Sequence, residues 1–166
     1  LENCRNMELG FIEVIPLIET ALGVLNVFNI ASAGSRVKRL AFGAMDYTLD
    51  IGVEYSGTGQ ELFFARNQIV LASRVAKLEK PIDTVFPDIK DVDGLKKEIL
   101  EVKQLGFGGK LLIHPAQIDL TNINFSPTEK EIKWAKKVVQ AFKEAEQRGI
   151  AAIQVEGSFI DPPVVE

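Results

Sequence analysis

The sequence predicts an α/β protein built on a parallel sheet, and three observations predict it. Short apolar runs alternate with longer amphipathic ones. The short runs lack the polar alternation of a half-exposed sheet, and each helix-length segment leads into another short run. A repeated strand–helix order makes successive strands parallel and lays helices over the sheet. An open doubly wound sheet and a (β/α)8 barrel both satisfy this rhythm.

The chain opens in what reads as the last turns of a helix over residues 1–9, stopped by Gly10. A mid-helix start without Met predicts that an N-terminal portion is missing. Residues 11–18 read as the first strand. Residues 21–33 follow as a helix with Leu22, Leu25, Val27, Phe28 and Ile30 around much of its circumference. The second strand covers residues 37–44, and a polar, Gly-rich loop runs on through Gly59. The spacing of Leu62, Phe63, Ile69, Val70 and Val75 makes residues 60–78 helical. Residues 81–86 give a third strand, then an Asp-rich turn and a helix over 92–105 closed by Gly106. Gly106-Phe107-Gly108-Gly109 precedes a strand, so it reads as a turn and not as a phosphate loop. A fourth strand at 110–113 leads to a short helix after Pro115. Ser126 as N-cap, Pro127 at the first position and Glu129 at the third open a long helix to Arg148.

With 166 residues, 46% of them hydrophobic, the chain can enclose a substantial core. The 19 basic and 23 acidic residues give a net charge of −4 without a basic block, which argues against nucleic acid as a partner. No run reaches the length of a membrane span and no signal peptide is visible, so no membrane partner is expected. The single cysteine, Cys4, excludes an intrachain disulfide and a cysteine-based zinc site, and the expected compartment is the reducing cytoplasm.

Two acids stand where apolar runs stop: Glu19 after Val14-Ile15-Pro16-Leu17-Ile18, and Asp46 after Leu40-Ala41-Phe42-Gly43-Ala44-Met45. The carboxyl ends of parallel strands are where α/β folds place ligands. Either acid alone reads equally well as a helix cap. As a pair on successive strands they suit a hard divalent cation such as Mg²⁺, which takes oxygen ligands and keeps waters that a substrate can displace. The amides of Ala21, Leu22 and Gly23 open the next helix and could bind a substrate carboxylate, a feature any strand–helix junction offers. His114 is the only histidine, and a loop-holding hydrogen bond is its simplest role. Solvated turn and cap roles suffice for most of Asp83, Asp88, Asp91 and Asp93, and Trp134, Phe63 and Phe64 read as packing residues.

Six ordered segments resemble one family. They are Leu17-Ile18-Glu19-Thr20-Ala21-Leu22-Gly23-Val24, Phe42-Gly43-Ala44-Met45-Asp46-Tyr47, Ala65-Arg66-Asn67-Gln68-Ile69-Val70, Ile82-Asp83-Thr84-Val85, Gly109-Lys110-Leu111-Leu112-Ile113-His114-Pro115-Ala116-Gln117-Ile118 and Gly157-Ser158-Phe159-Ile160-Asp161. Together they resemble the citrate lyase beta subunit family with its malyl- and citramalyl-coenzyme A lyase relatives. The resemblance implies a (β/α)8 TIM barrel of which about four C-terminal βα units are present, with residues 1–149 as the half barrel and 150–166 as a C-terminal lid arm. A barrel takes about 250 residues, so the length agrees.

The resemblance also implies an activity: Mg²⁺-dependent carbon–carbon bond cleavage or formation between an acyl-coenzyme A thioester and an α-keto acid. Glu19 and Asp46 then hold the metal, Asp161 is the catalytic acid or base on the lid, and Arg66 matches a family arginine that binds substrate or pairs with an acid. Without the resemblance, Asp161 reads as an Asp-Pro turn starter. The implied partners are a small-molecule substrate and further copies of the chain, as a trimer or larger, or the other subunits of a lyase complex. Two alternatives stand beside this reading: a metal-dependent pyruvate-type aldolase without coenzyme A, and a non-catalytic paralogue with an assembly role.

Overall fold

Four short strands form one sheet in the computed structural model, which describes residues 2–8 and 10–165: β1 (Leu17–Ile18), β2 (Ala41–Phe42), β3 (Ile82–Asp83) and β4 (Gly109–Lys110). Their order in space is their order in sequence, and every neighbouring pair is parallel. An open doubly wound sheet reverses direction at a switch point. No reversal occurs among these four, so the progression is that of one arc of a (β/α)8 barrel. The strands are shorter than the apolar runs predicted for them. Residues 11–16 add only an isolated bridge between Val14 and Val37.

The helix expected over residues 1–9 reduces, among the described residues, to one 3-10 turn, Asn3–Arg5; Leu1 and Leu9 lie outside the described residues. The Glu2 carboxylate accepts the amide hydrogens of Gly10 at 3.0 Å and Ile12 at 2.8 Å. These bonds draw the chain back on itself and hold the carboxyl below its ordinary pKa.

The helix predicted at 21–33 is two, α1 (Ala21–Leu25) and α2 (Val27–Ala31), broken at Asn26. Thr20 caps α1 by accepting the Gly23 amide hydrogen at 3.0 Å. Val24, Val27 and Ala31 form the buried face, whereas Leu22, Leu25 and Phe28 are exposed. A second departure matters more. The loop predicted after the second strand begins with a helix, α3 (Ala44–Ile51), which starts directly after Gly43 and stops at Gly52 in the left-handed region (φ 72°).

Beyond it, a 3-10 turn (Gln60–Leu62) leads into α4 (Phe63–Val75). This helix ends short of residue 78 because Lys77 takes a positive φ of 57°. α5 (Val92–Leu105) has the predicted bounds: Asp91 accepts the Gly94 amide hydrogen at 2.9 Å and Gly106 (φ 110°) ends it. A 3-10 turn (Pro115–Gln117) and α6 (Ile118–Phe125) complete this unit. Its core joins Ile18 and Phe42 from the sheet, and Leu40 just before β2, to Leu62, Ile69 and Val102 from the helical segments. Each such side chain, fully buried, contributes roughly 1.5–3 kcal/mol.

Contacts within the chain cluster into two compact units, Leu1–Phe125 and Ser126–Glu166. The second begins with α7 (Glu129–Glu146). Its cap is Thr128, not Ser126: Thr128 accepts the Glu131 amide hydrogen at 3.2 Å while Glu131 accepts that of Thr128 at 2.7 Å. The reciprocal box satisfies two helix-end donors, which explains why the start moves two residues on. Residues after the helix form a hairpin of β5 (Ile153–Val155) and β6 (Ser158–Ile160) in place of a plain extended arm. Glu156 (φ 50°) and Gly157 (φ 85°) make its two-residue turn. The last element is α8 (Pro162–Val165). Val138, Phe142, Val155 and Ile160 form this unit's core.

Candidate active site

Glu19 follows the last residue of β1 and is half-buried, as a strand-end carboxylate should be. β2 runs beside it, with the Gly43 amide donating to the Ile18 carbonyl at 2.9 Å. The Glu19 side chain lies across Gly43. A Cβ built there would come within 2.8 Å of Glu19 Cβ and 3.0 Å of Glu19 Oε2. Only glycine leaves this carboxylate its place.

Asp46 is not at a strand end. It is exposed in the first turn of α3, three residues past Gly43. Asp46 and Asp50 are four apart on that helix and therefore share a face. Asp50 Oδ2 accepts the amide hydrogen of Ala21 at 2.7 Å, so this face of α3 is turned toward the segment that follows Glu19. Glu19 thus follows β1 directly, and Asp46 stands on the helix that follows β2, the parallel strand beside it.

Two hard carboxylates with open surroundings fit Mg²⁺, which is bound through one or two acids and keeps several waters. Among the described residues, no group of three or more His, Cys, Asp or Glu gathers as a fuller metal cage. The amides predicted to bind substrate are less available. Ala21 donates to Asp50 and Gly23 to Thr20, which leaves Leu22 of the three.

Arg66, predicted to bind substrate or pair with an acid, is buried at 2% exposure and held within the fold. Its Nε donates to Asp83 Oδ1 at 2.9 Å and its Nη2 to Asp83 Oδ2 at 3.0 Å. Nη2 also lies 3.3 Å from Glu98 Oε2. Lys110 Nζ contacts Asp83 Oδ2 at 2.8 Å and bonds Glu98 Oε1. Two cations and two carboxylates from α4, β3, α5 and β4 therefore form a neutral set beneath the helices. Burial works against the Arg66 charge, but Asp83 and Glu98 outweigh it and hold the guanidinium above its ordinary pKa. Tyr55 donates its hydroxyl to Glu98 Oε2 at 3.1 Å. Burial, with Glu98 beside it, pushes that phenol well up.

Asp83 is thus an exception to the solvated turn and cap roles that suffice for most of these acids, whereas Asp91 caps α5 and Asp88 accepts the Lys90 amide hydrogen at 2.9 Å. His114 Nδ1 accepts the Ala116 amide hydrogen at 3.2 Å and starts a 3-10 turn. Gln117 is buried between the strand ends, donating to the Phe86 carbonyl at 3.0 Å and accepting from the Ile113 amide at 3.2 Å. Phe63 and Phe64 are mostly exposed, against the packing role predicted for them. Asp161 is half-buried between β6 and α8 in the second unit, and its carbonyl accepts the Val164 amide hydrogen at 3.0 Å.

The chain matches the HpcH/HpaI aldolase/citrate lyase family over residues 2–115, and it belongs to that family. It is 43% identical over 157 residues to the citrate lyase subunit beta of Leuconostoc mesenteroides subsp. cremoris, covering 95% of this chain and 52% of that one. It is 35% identical to the mitochondrial citramalyl-CoA lyase of Rattus norvegicus, over 92% of this chain and 47% of that protein. Among solved structures, the CitE protein of Mycobacterium tuberculosis in complex with magnesium, acetoacetate and coenzyme A has a TM-score of 0.76 at 29% identity, over 92% of this chain and 57% of that one. A citrate lyase from Burkholderia xenovorans LB400 shares the fold at a TM-score of 0.79 and 22% identity, over 99% of this chain and 53% of that one. The chain spans about half the length of the curated relatives it matches. Among the described residues, no helix is long and apolar enough to cross a membrane.

Proposed function

We propose that the intact protein is a Mg²⁺-dependent carbon–carbon lyase acting on an acyl-coenzyme A thioester of the citryl or malyl type, releasing or condensing an α-keto acid. The observation that carries this reading is the Glu19 carboxylate cradled by Gly43 just past the strand beside it, with Asp46 in the first turn of the helix that Gly43 opens. Family membership and the Mg²⁺- and coenzyme A-bound structure of the M. tuberculosis relative support it. In this reading Glu19 and Asp46 hold the cation. When bound, Mg²⁺ supplies Lewis-acid polarisation of the keto-acid oxygen and a fixed seat for its carboxylate.

The remaining work falls to the chain. The Leu22 amide, with neighbouring donors Ala21 and Gly23 already engaged, is the one of the three left to orient a substrate carboxylate. Arg66 serves by fixing α4 against β3 and not by touching substrate. On cleavage, the substrate hydroxyl loses its proton to solvent and its oxygen becomes the keto oxygen, while the electron pair of the broken carbon–carbon bond becomes the thioester enolate. Asp161 gives its proton to that carbon; in condensation it takes the proton back. β1 and β4 each have one unpaired edge among the described residues, and we infer that further βα units close the barrel there. The protein works as an oligomer of identical subunits or in a lyase complex, in the cytoplasm.

The test is calorimetric titration of the intact protein with Mg²⁺ and then with coenzyme A. Glu19→Gln and Asp46→Asn should each weaken Mg²⁺ binding at least tenfold without loss of folding. Unchanged affinity in both would remove the metal assignment. Absence of coenzyme A binding would favour a pyruvate-type aldolase.

A further inference from the structure

α3 carries Asp46, and it begins without a side-chain cap. Its N-cap is Gly43, which has none to offer. The residues that usually cap helices are Ser, Thr, Asp and Asn. None of them fits at position 43, because a Cβ would meet Glu19 Cβ at 2.8 Å. The position that must be bare to seat one acid therefore leaves the helix of the other acid with an unsatisfied first turn.

The missing acceptor comes from a different strand. Thr84 follows β3 and is 1% exposed. Its Oγ1 accepts the amide hydrogen of Ala44 at 2.9 Å, across 40 residues of sequence. Ala44 is the first residue of α3, and Asp46 is the third. We propose that Thr84 is a positioning residue for the metal site: its hydroxyl caps α3 from the neighbouring strand and so fixes where Asp46 stands relative to Glu19. This rests on Glu19 and Asp46 being the metal ligands.

The chemistry requires an acceptor at that point. Ala44 N–H is buried with its residue at 0% exposure, and water cannot replace Thr84 without opening the packing. A first turn free to tilt moves the Asp46 carboxylate by more than the tight oxygen geometry of Mg²⁺ tolerates. Residues that orient ligands without touching the metal typically change affinity by about 10–100-fold when removed.

The experiment uses the intact protein and three variants. Thr84→Val keeps the shape and removes the acceptor, Thr84→Ser keeps the acceptor, and Asp46→Asn removes the ligand. Mg²⁺ affinity is read by calorimetry, Ala44 amide protection by hydrogen exchange, and stability by thermal unfolding. The expected result is an affinity about tenfold weaker in Thr84→Val, recovery to within about twofold in Thr84→Ser, and faster Ala44 exchange in Thr84→Val alone of the two. Unchanged Mg²⁺ affinity in Thr84→Val, with affinity lost in Asp46→Asn, overturns the positioning role and leaves the metal site standing. Unchanged affinity in Asp46→Asn overturns both. If Thr84→Val does not fold, Thr84→Cys, with a weak sulfur acceptor, takes its place and the same outcomes decide.

Discussion

Asp50 accepts the amide hydrogen of Ala21, so the second strand's helix caps the first strand's helix. The bond spans 29 residues of sequence at 2.7 Å. It links the two segments that follow Glu19 and Asp46, and its loss should be felt at both. Asp50→Ala should cost about 1 kcal/mol, the usual effect of removing a helix cap, and should lower Mg²⁺ affinity. Urea unfolding and Mg²⁺ titration of the intact protein check the two effects separately.

Gly43→Ala puts a methyl group against Glu19. Because both Glu19 Cβ and Oε2 lie within 3.0 Å of it, the acid has to swing away. We expect a loss of roughly 1–3 kcal/mol from overpacking, and Mg²⁺ binding reduced as far as in Glu19→Gln. Retained Mg²⁺ affinity in a folded Gly43→Ala protein would mean that the Glu19 placement is not what binds the ion.

Removing one member of the buried charge set should be more damaging than removing two of opposite sign. Lys110→Met leaves Asp83 and Glu98 facing Arg66 alone, an excess negative charge, and should cost about 3–5 kcal/mol. Adding Glu98→Met restores neutrality and leaves the Arg66–Asp83 fork intact. The double variant should therefore be more stable than the sum of the two single losses, by 1 kcal/mol or more in a double-mutant cycle. Additive losses would show that the four groups do not act together.

The loop before α4 should carry a pH signature. Burial opposes the charge on Glu61, but the Ser56 hydroxyl at 2.6 Å and amide at 2.7 Å overcome it and lower the pKa from 4.5. A lowered folded-state value means that the stabilisation is present above the unfolded pKa and is lost as pH falls through the folded one. The difference in Tm between the natural protein and Ser56→Ala should accordingly be largest near pH 7 and shrink below about pH 4. A difference independent of pH would assign the Ser56 effect to packing.

If Asp161 serves a neighbouring subunit, mixed oligomers should recover activity. Glu19→Ala and Asp161→Ala subunits are each expected to be inactive. After subunit exchange, some sites regain both residues when the hairpin crosses over. Verified exchange without activity would place the hairpin on its own barrel.

Much of the fold is legible because its signals are local. Asp91 and Gly106 bracket α5 at the predicted residues, since cap and stop each act within one turn. α3 is illegible for the opposite reason: its cap is Thr84, far along the chain, and the glycine before it reads as part of the strand predicted at 37–44. The left-handed stop at Gly52 is the one local signal that points to it. At the site, Glu19 follows from the end of an apolar run, but the engagement of Ala21 by Asp50 and of Arg66 by Asp83 depends on contacts between distant segments. Asp83 and Lys110 could have been found. A charge inside a run that reads as a buried strand needs a buried partner.

The four-charge set has a bearing on how this architecture can be re-engineered. Its members come from α4, β3, α5 and β4, and each of the two cations touches both carboxylates. Moving any one of these elements into another barrel would carry an orphan charge into the recipient and leave its counterpart in the donor. A chimera must therefore transplant the α4-to-β4 stretch as an indivisible cassette, or recode all four positions to apolar residues at once. The crossover points open to recombination lie outside that stretch.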